Sequence, residues 1–499
     1  MGTFIGIDLG TTFSAVAQVD ETGRPVIIRD TDGNNITPSC VTEREDGVME
    51  VGEYARRTWS NAPDRAAGRF KRDMGTSVTH KIGSNEYTPT ELSGFVLKKM
   101  KAVAESVTGE VDDAVVTIPA NFSNEAREAT LAAAKASGLK VNFIINEPTA
   151  AALFYAFKNG EELNGNYAVY DLGGGTFDIS IICINGQDVD VLSSNGVAKL
   201  GGDDFDKALI KLVASKYKEE NGEDYDPEDF PINDAEEEKK SLSRRKRSTA
   251  KVGRKFVEIS REEFEESISS LVTQAELLCE STLEEAGIKA EEIKGIFLAG
   301  GSTRIPLVQE SIKRTFKQDP ISSENVDEVV ALGAALYAAY KSDGSSLTAV
   351  QKSAVEKIKV VEATGQNFGT LAMQPNPQGG EDILRNTIII KKNEKIPCSI
   401  TESFYTIFEN QTGVDCKVTE CSSPEEDPRF VTTIFEGELE LPSGRAKGEE
   451  IKVTYSYDEN QTLKCSFEDV GTGKKTEVDL DMASDGSRDA SGIDKFLVE

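Results

Sequence analysis

Two copies of one glycine–threonine loop, far apart in a single chain, restrict what this protein can fold into more than any other feature. Asp8-Leu9-Gly10-Thr11-Thr12 follows the apolar stretch Phe4-Ile5-Gly6-Ile7 and leads into a strand from Thr12 to Val19. Asp171-Leu172-Gly173-Gly174-Gly175-Thr176 follows Ala168-Val169-Tyr170 and leads into a strand from Phe177 to Ile184. Glycines let backbone N–H groups turn towards an anion with no Cβ in the way, and threonine adds a hydroxyl donor. An aspartate at the strand end can hold Mg²⁺ through water, because that ion keeps much of its hydration shell. The duplication predicts two facing lobes that clamp one polyphosphate.

The 499 residues suggest about three domains, ample for large buried cores. A net charge of −30 argues against a nucleic-acid partner or an anionic membrane surface, so a nucleotide must be held by local donors and a metal. No apolar run reaches membrane-spanning length, and Met1 to Thr12 run straight into the first strand with no secretory signal. Seven scattered cysteines without a C-x-x-C pair read as reduced thiols, so the expected compartment is cytoplasmic. His80, the only histidine, has no surroundings that suggest a catalytic triad or metal site and reads as a surface or packing residue.

The first two-thirds has an α/β pattern. Strands Ala114 to Ile118 and Asn142 to Ile145 flank a helix that Ser123 can cap and Gly138 can end. A longer helix starts at the capping box Ser260–Glu263 and stops at Gly287. Asn185-Gly186 marks a hairpin. Beyond the Ser/Gly-rich stretch Lys341 to Leu347 a short helix follows, and then alternating strands take over: 386–390, 414–420, 430–435, 451–457 and 463–467. The expected divisions are 1–345, a linker 346–362, an all-β domain 363–482, and a polar, disordered tail 483–499.

Three more motifs join the loops. Ala299-Gly300-Gly301-Ser302-Thr303-Arg304 follows an apolar strand; its paired glycines admit a base or ribose, and Arg304 can stack on it. Asn146-Glu147-Pro148-Thr149 closes a strand with a carboxylate and opens an alanine-rich helix, and Asp327 opens a second small-residue helix. Two such helices can cross closely, as a hinge between lobes would require. No Walker-type loop is present. Gly6-Ile7-Asp8-Leu9-Gly10-Thr11-Thr12-Phe13-Ser14, Val169 to Asp178, and Gly300-Gly301-Ser302-Thr303-Arg304-Ile305-Pro306 together resemble the signature segments of the 70-kDa heat-shock protein chaperone family, within the actin, sugar-kinase and heat-shock ATPase superfamily. The resemblance runs from about Gly6 to Leu480.

That resemblance implies a two-lobed, actin-like (ribonuclease H-like) α/β ATPase domain followed by an all-β sandwich. It implies slow hydrolysis of ATP to ADP with Mg²⁺, used to control the binding of extended apolar segments of unfolded polypeptides. Asp8 and Asp171 would hold the metal through water, and Thr11, Thr12 and Thr176 would contact phosphates, beside Gly10, Gly173, Gly174 and Gly175. Lys71 resembles the lysine that orients the attacking water, with Glu147 and Asp178 arranging that water and the metal. Gly201 and Gly202 resemble a further phosphate-side turn. Adenosine would be held by Glu236, Lys239, Lys240, Ser243, Gly300, Gly301, Ser302, Arg304 and Asp327, and peptide by Met373, Phe404, Ile407, Val414 and Cys416. A J-domain co-chaperone and a nucleotide-exchange factor are implied partners.

The chain also departs from the pattern. Leu131 stands where a lysine is usual, and Lys359 puts a charge in the linker where an apolar residue is expected, so weakened interdomain coupling is anticipated. The sequence stops before any segment that corresponds to the family's helical lid, either because the lid is naturally absent or because it was cut away, and without a lid fast peptide release is expected. Two other readings remain: a regulatory, weakly hydrolysing or non-hydrolysing scaffold of the same family, and a small-molecule kinase of the superfamily, which the β-domain counts against.

Overall fold

The apolar strands that end in Asp8 and Asp171 lie inside two different sheets built to the same plan. The computed structural model describes residues 3–160, 163–321, 325–342, 344–377, 379–480 and 493–499. In the first sheet Phe4–Asp8 runs parallel to Asp113–Ile118, which is parallel to Val141–Asn146, and pairs antiparallel with Phe13–Val19. In the second, Asn164–Leu172 runs parallel to Ile293–Ala299 and antiparallel to Phe177–Asn185. Asp8 therefore ends, and Asp171 all but ends, a central strand with a parallel neighbour on one side and a hairpin partner on the other. The strands are short apolar runs because both faces are covered, as parallel sheets require.

Local signals set the flanking elements. Ser123 caps the helix Asn124–Ala136 by accepting from Ala126 N–H. Ser260 and Glu263 form a reciprocal capping box at the start of Arg261–Ala286, and Gly287, left-handed at φ 67°, ends it. Gly186, at φ 65°, makes the turn between Phe177–Asn185 and Asp188–Val197.

The two sheets are joined at the small-residue helices. Glu147–Asn159 crosses Val329–Lys341 so closely that a Cβ on Gly333 would lie 1.7 Å from the Ala150 carbonyl oxygen. The second helix also rides on the first sheet, where a Cβ on Gly6 would sit 2.1 Å from the Ala335 nitrogen. No side chain separates these backbones.

The described residues divide into two units. One runs to Val360 and includes 493–499; the other starts at Val361. The expected linker 346–362 is thus largely part of the first unit. Its helix Ala349–Val355 begins with a Thr348–Gln351 capping box, Gln351 donates to the Val19 carbonyl (2.9 Å), and Val355 and Ile358 are buried. Lys359–Val361 then lies beside Asp188–Val197 at the edge of the second sheet. Of the segment 483–499, expected to be a disordered polar tail, residues 483–492 lie outside the described residues. Residues 493–499 are ordered against the first unit, because Ile493, Phe496 and Val498 join its apolar core.

The second unit is a sandwich of two antiparallel four-stranded sheets. One has the order Ile383–Ile390, Asn367–Gln374, Gly413–Cys421, Thr432–Glu440; the other has Cys398–Tyr405, Glu450–Tyr457, Leu463–Asp469, Lys475–Asp479. The Tyr455 hydroxyl ties the sheets together by donating to the Gly369 carbonyl at 2.8 Å. Alternation had not marked Asn367–Gln374, Cys398–Tyr405 or Lys475–Asp479. The strand expected from Phe430 instead begins at Thr432, after a 3₁₀ turn over Pro428–Phe430.

An exposed helical glycine gains about 1 kcal/mol when replaced by alanine. At Gly333 the backbone contact outweighs that gain, so Gly333→Ala is expected to destabilise the first unit by about 3 kcal/mol, the upper end of overpacking costs. A raised thermal midpoint in that variant would contradict the crossing.

Candidate nucleotide site

The two loops face one another. A Cβ on Gly174 would fall 1.9 Å from the Thr12 hydroxyl, and one on Gly175 would fall 2.6 Å from the Thr11 side chain. Between them lies a cavity of about 90 Å³, lined in part by Asp8, Gly10, Thr11, Thr12, Lys71, Glu147, Asp171, Gly173, Gly174 and Thr176. It shares Thr12, Phe13, Gly174, Gly301 and Asp327 with a neighbouring cavity of about 470 Å³. Gly202, Glu236, Lys239, Lys240, Ser243, Ser302 and Arg304 line that larger one. The smaller end is polar and loop-walled; the larger has the size of a base and sugar.

Asp8, Glu147 and Asp171 line the small cavity with Lys71 among them, and the buried Asp178 stands close enough to act on Asp171. Lys71 Nζ donates to Glu147 Oε1 at 2.5 Å, and both side chains are almost fully buried. Thr117 donates to Asp8 at 3.1 Å. Burial first, and repulsion from Glu147 second, push the Asp8 carboxyl up to about 7 against the pull of Lys71. The same two causes, with Asp178 and Asp8 adding repulsion, hold Asp171 well above the usual carboxylate range. Asp178 is raised likewise. Both its oxygens and the Thr12 hydroxyl are buried without a good hydrogen-bond partner, although the Ala120 and Asn121 backbone draws the Asp178 pKa down somewhat.

These groups fit a hydrated divalent cation. Crowded acids with raised pKa values are what a missing positive charge leaves behind. Among the described residues no three His, Cys, Asp or Glu side chains are placed to chelate a metal directly. Asp8 and Asp171 are the residues that would hold Mg²⁺, an ion that keeps much of its water shell.

Other predicted residues take supporting positions. Gly201 lies under the second loop, where a Cβ would meet the Gly174 carbonyl at 2.6 Å, while Gly202 and Asp203 donate to the Gly173 and Gly174 carbonyls at 3.0 and 2.8 Å. Ser302 also braces that loop by donating to Gly173 O at 2.8 Å. Gly300, at φ 79°, packs on Leu172 O, and Arg304 pairs with Asp327 at 2.7 Å across the mouth of the large cavity. Lys239 is held by Asp206 (2.7 Å) and the Gly202 carbonyl (2.8 Å), and Glu236 by Lys240 (2.9 Å) and Arg56 (3.0 Å). Burial raises Asp206 to about 6 despite Lys239.

Sequence reasoning gave no role to Arg69 or Arg72. Arg69 adopts a left-handed backbone at φ 61°, a strained state for a side-chain-bearing residue, and so turns its guanidinium onto Asp203 at 2.5 Å and over the ring of Trp59. Arg72 pairs with Asp204 at 2.9 Å. These pairs lock the loop carrying Lys71 to the turn behind the second phosphate loop. Their only local signal was the basic cluster Arg69-Phe70-Lys71-Arg72.

A family model described as Hsp70 protein matches residues 4–498. The chain belongs to that family. Hsp70 proteins act as chaperones and ATPases and typically bind ATP or ADP with Mg²⁺. Like other proteins of this kind, this Hsp70 pairs a two-lobed ATPase fold with a β-sandwich.

The sandwich of this Hsp70 holds a cavity of about 380 Å³, lined by Met373, Phe404, Ile407 and Val414 together with Leu384, Tyr405, Phe408 and Phe467. Met373, Leu384, Tyr405 and Phe408 are exposed. Cys416 does not line it. It shares the inward face of its strand with Val414 and Val418 and is fully buried in the core between the sheets. Elsewhere, His80 stands 3.2 Å from Asp73 and edge-on to Phe70, Leu131 packs against the cluster of Met74 and Phe122, and no disulfide joins any of the seven cysteines, all of which are among the described residues. No helix among the described residues is long and apolar enough to cross a membrane.

A raised carboxylate pKa favours the folded state at low pH and penalises it as the group ionises. Wild type should therefore lose stability relative to Asp8→Asn as pH rises from about 4 to about 7, by no more than about 1.4 kcal/mol per pH unit. Thermal midpoints of nucleotide-free protein measured across that range check this. A constant difference between the two proteins would contradict the buried charge.

Proposed function

We propose that this Hsp70 hydrolyses Mg²⁺-ATP in the cleft and uses the nucleotide state to control how extended apolar peptide segments bind its sandwich. The Lys71–Glu147 pair between Asp8 and Asp171 carries the reading, since it is a buried cation and base at the end of a cavity walled by backbone donors. Mg²⁺ would supply charge neutralisation for the phosphates. Gly10, Thr11, Thr12, Gly173, Gly174, Gly175 and Thr176 would present N–H and hydroxyl donors to those oxygens. Lys71 would point its ammonium at the terminal phosphoryl group, and Glu147, sharing that ammonium, would orient the attacking water. Asp178 would support the water network from behind. Such catalysis is positioning and charge stabilisation, with little covalent work for the protein.

The adenosine would sit in the larger cavity, between Arg304 and the helix Ile232–Arg244 that carries Glu236, Lys240 and Ser243. Client segments would lie against Met373, Phe404, Ile407 and Val414, where apolar surface is already exposed and concave. A J-domain protein and an exchange factor would serve as partners, in a cytoplasmic setting. The regulatory reading differs only in chemistry: a scaffold would bind ATP without cleaving it.

Lys71→Ala is expected to bind Mg²⁺-ATP within about tenfold of wild type while single-turnover hydrolysis falls by about 10²-fold or more. Wild-type protein that binds ATP but gives no product in the same assay would favour the scaffold. A fluorescent apolar peptide should bind about tenfold more weakly to Phe404→Ser. Its dissociation should accelerate with ATP, and more so in the Leu131→Lys/Lys359→Leu double variant. An unchanged off-rate in that double variant would remove the basis for weakened coupling.

A further inference from the structure

Strand Met49–Val51 is the edge of a three-stranded sheet whose middle strand is Cys40–Glu43 and whose far strand is Ala66–Gly68. An open edge leaves N–H and C=O groups without partners. Here residues 497–499 supply them. Met49 N–H donates to Leu497 O at 2.9 Å, Glu499 N–H to Met49 O at 3.0 Å, and Val51 N–H to Glu499 O at 2.9 Å, with Val498 paired in parallel to Met49. The side chains alternate as in a strand: Phe496 and Val498 turn onto the core of the first unit, while Leu497 is exposed.

The other wall of this channel is the helix Pro89–Thr108. Gly94 sits in its middle, where glycine weakens a helix. The space it leaves is filled: a Cβ there would lie 2.3 Å from Ile493 Cδ1, and Ile493 is 1% exposed. The Phe496 ring meets Phe95 edge-on at 5.4 Å and Tyr87 at 6.4 Å. Lys98 Nζ donates to the carbonyls of Phe496 (2.7 Å) and Ile493 (3.4 Å), and Arg44 pairs with Glu499 at 2.7 Å. Notch, aromatic seat, edge strand and two cations thus match one short segment at successive positions.

We propose that the channel between helix Pro89–Thr108 and strand Met49–Val51 is a second peptide-docking site, separate from the sandwich groove, and that its occupant is this chain's own segment Ile493–Glu499. The mode is strand addition, in which backbone hydrogen bonds give affinity and side-chain seats give selectivity. The site selects an apolar residue, an aromatic residue three positions on, a β-branched residue two further, and then an acid. Segment 493–499, the clasp, belongs to the first unit although the sandwich precedes it in the chain. Its release uncovers the edge.

Amide hydrogen exchange on the full chain tests this. Met49 and Val51 should exchange about tenfold or more faster in Ile493→Asp than in wild type, with Val169 and Ile179 in the second sheet unchanged. Equal rates at Met49 and Val51 overturn the clasp, and protection that fades on dilution of wild type assigns the segment to a second copy and overturns the intramolecular assignment. Should Ile493→Asp lose its fold, a labelled peptide of residues 493–499 decides. It should bind the variant ending at residue 492 about tenfold or more tightly than wild type, whose channel is filled. Equal binding to the two, or none to either, overturns the proposal.

Discussion

Four buried acids around a single lysine are the constraint on which the rest of this structure turns. Burial and the neighbouring Glu147 carboxylate raise the pKa values of Asp8, Asp171 and Asp178, and Lys71 offsets only part of that effect. Such a cluster cannot be a stabilising core element, since burying charge costs more than partial pairing returns. It persists because the surrounding fold is rigid enough to carry the cost. Two sheets deliver Asp8 and Asp171 from the ends of central strands, whose positions are fixed by hydrogen-bonded neighbours on both sides. A bound cation and phosphates would supply the missing positive charge and the missing acceptors, which makes the cleft's strain and its proposed ligand two sides of one balance.

The joint between the lobes starts at the cleft itself. Helices Glu147–Asn159 and Val329–Lys341 cross with backbone against backbone, and the first of them begins at the catalytic candidate Glu147. A crossing without interlocked side chains has no ridges to disengage when the helices rotate. The charge pairs Arg69–Asp203 and Arg72–Asp204 instead connect the lobes across the cleft, beside the phosphate loops. Exposure of these pairs to water weakens them, so closure of the cleft and strengthening of the pairs favour each other.

Much of this was legible in the sequence, and the reason is locality. A phosphate loop needs its glycines, threonines and aspartate within a few residues, so Asp8–Thr12 and Asp171–Thr176 announce themselves. Caps at Ser123 and Ser260 and the turn at Gly186 act on adjacent backbone and were equally readable. Arg69 was not, because its role depends on a left-handed backbone and on Asp203, far along the chain. The resemblance placed Cys416 with Val414 as a peptide contact, and the depth at which Cys416 lies between the sheets depends on packing that no local motif records. Strand Cys398–Tyr405 escaped notice because most of its residues are exposed and polar.

The segment 493–499 shows the same limit most sharply. Surrounded by Ser, Asp and Gly, its three inward side chains do not lift the average hydrophobicity of the region, and composition alone reads it as unstructured. What orders it is a complementary surface assembled from Gly94, Phe95, Lys98 and Met49, no part of which lies near it in sequence. Gly94 is the informative residue, for a glycine inside a helix is a cost that only an approaching atom explains, and the atom is Ile493 Cδ1. The same reasoning applies to Gly333 against Ala150 and, within a strand, to Gly6 against Ala335. In each case a missing Cβ marks where two distant parts of the chain must meet, which makes glycines inside regular elements the places where long-range structure leaves its trace in a sequence.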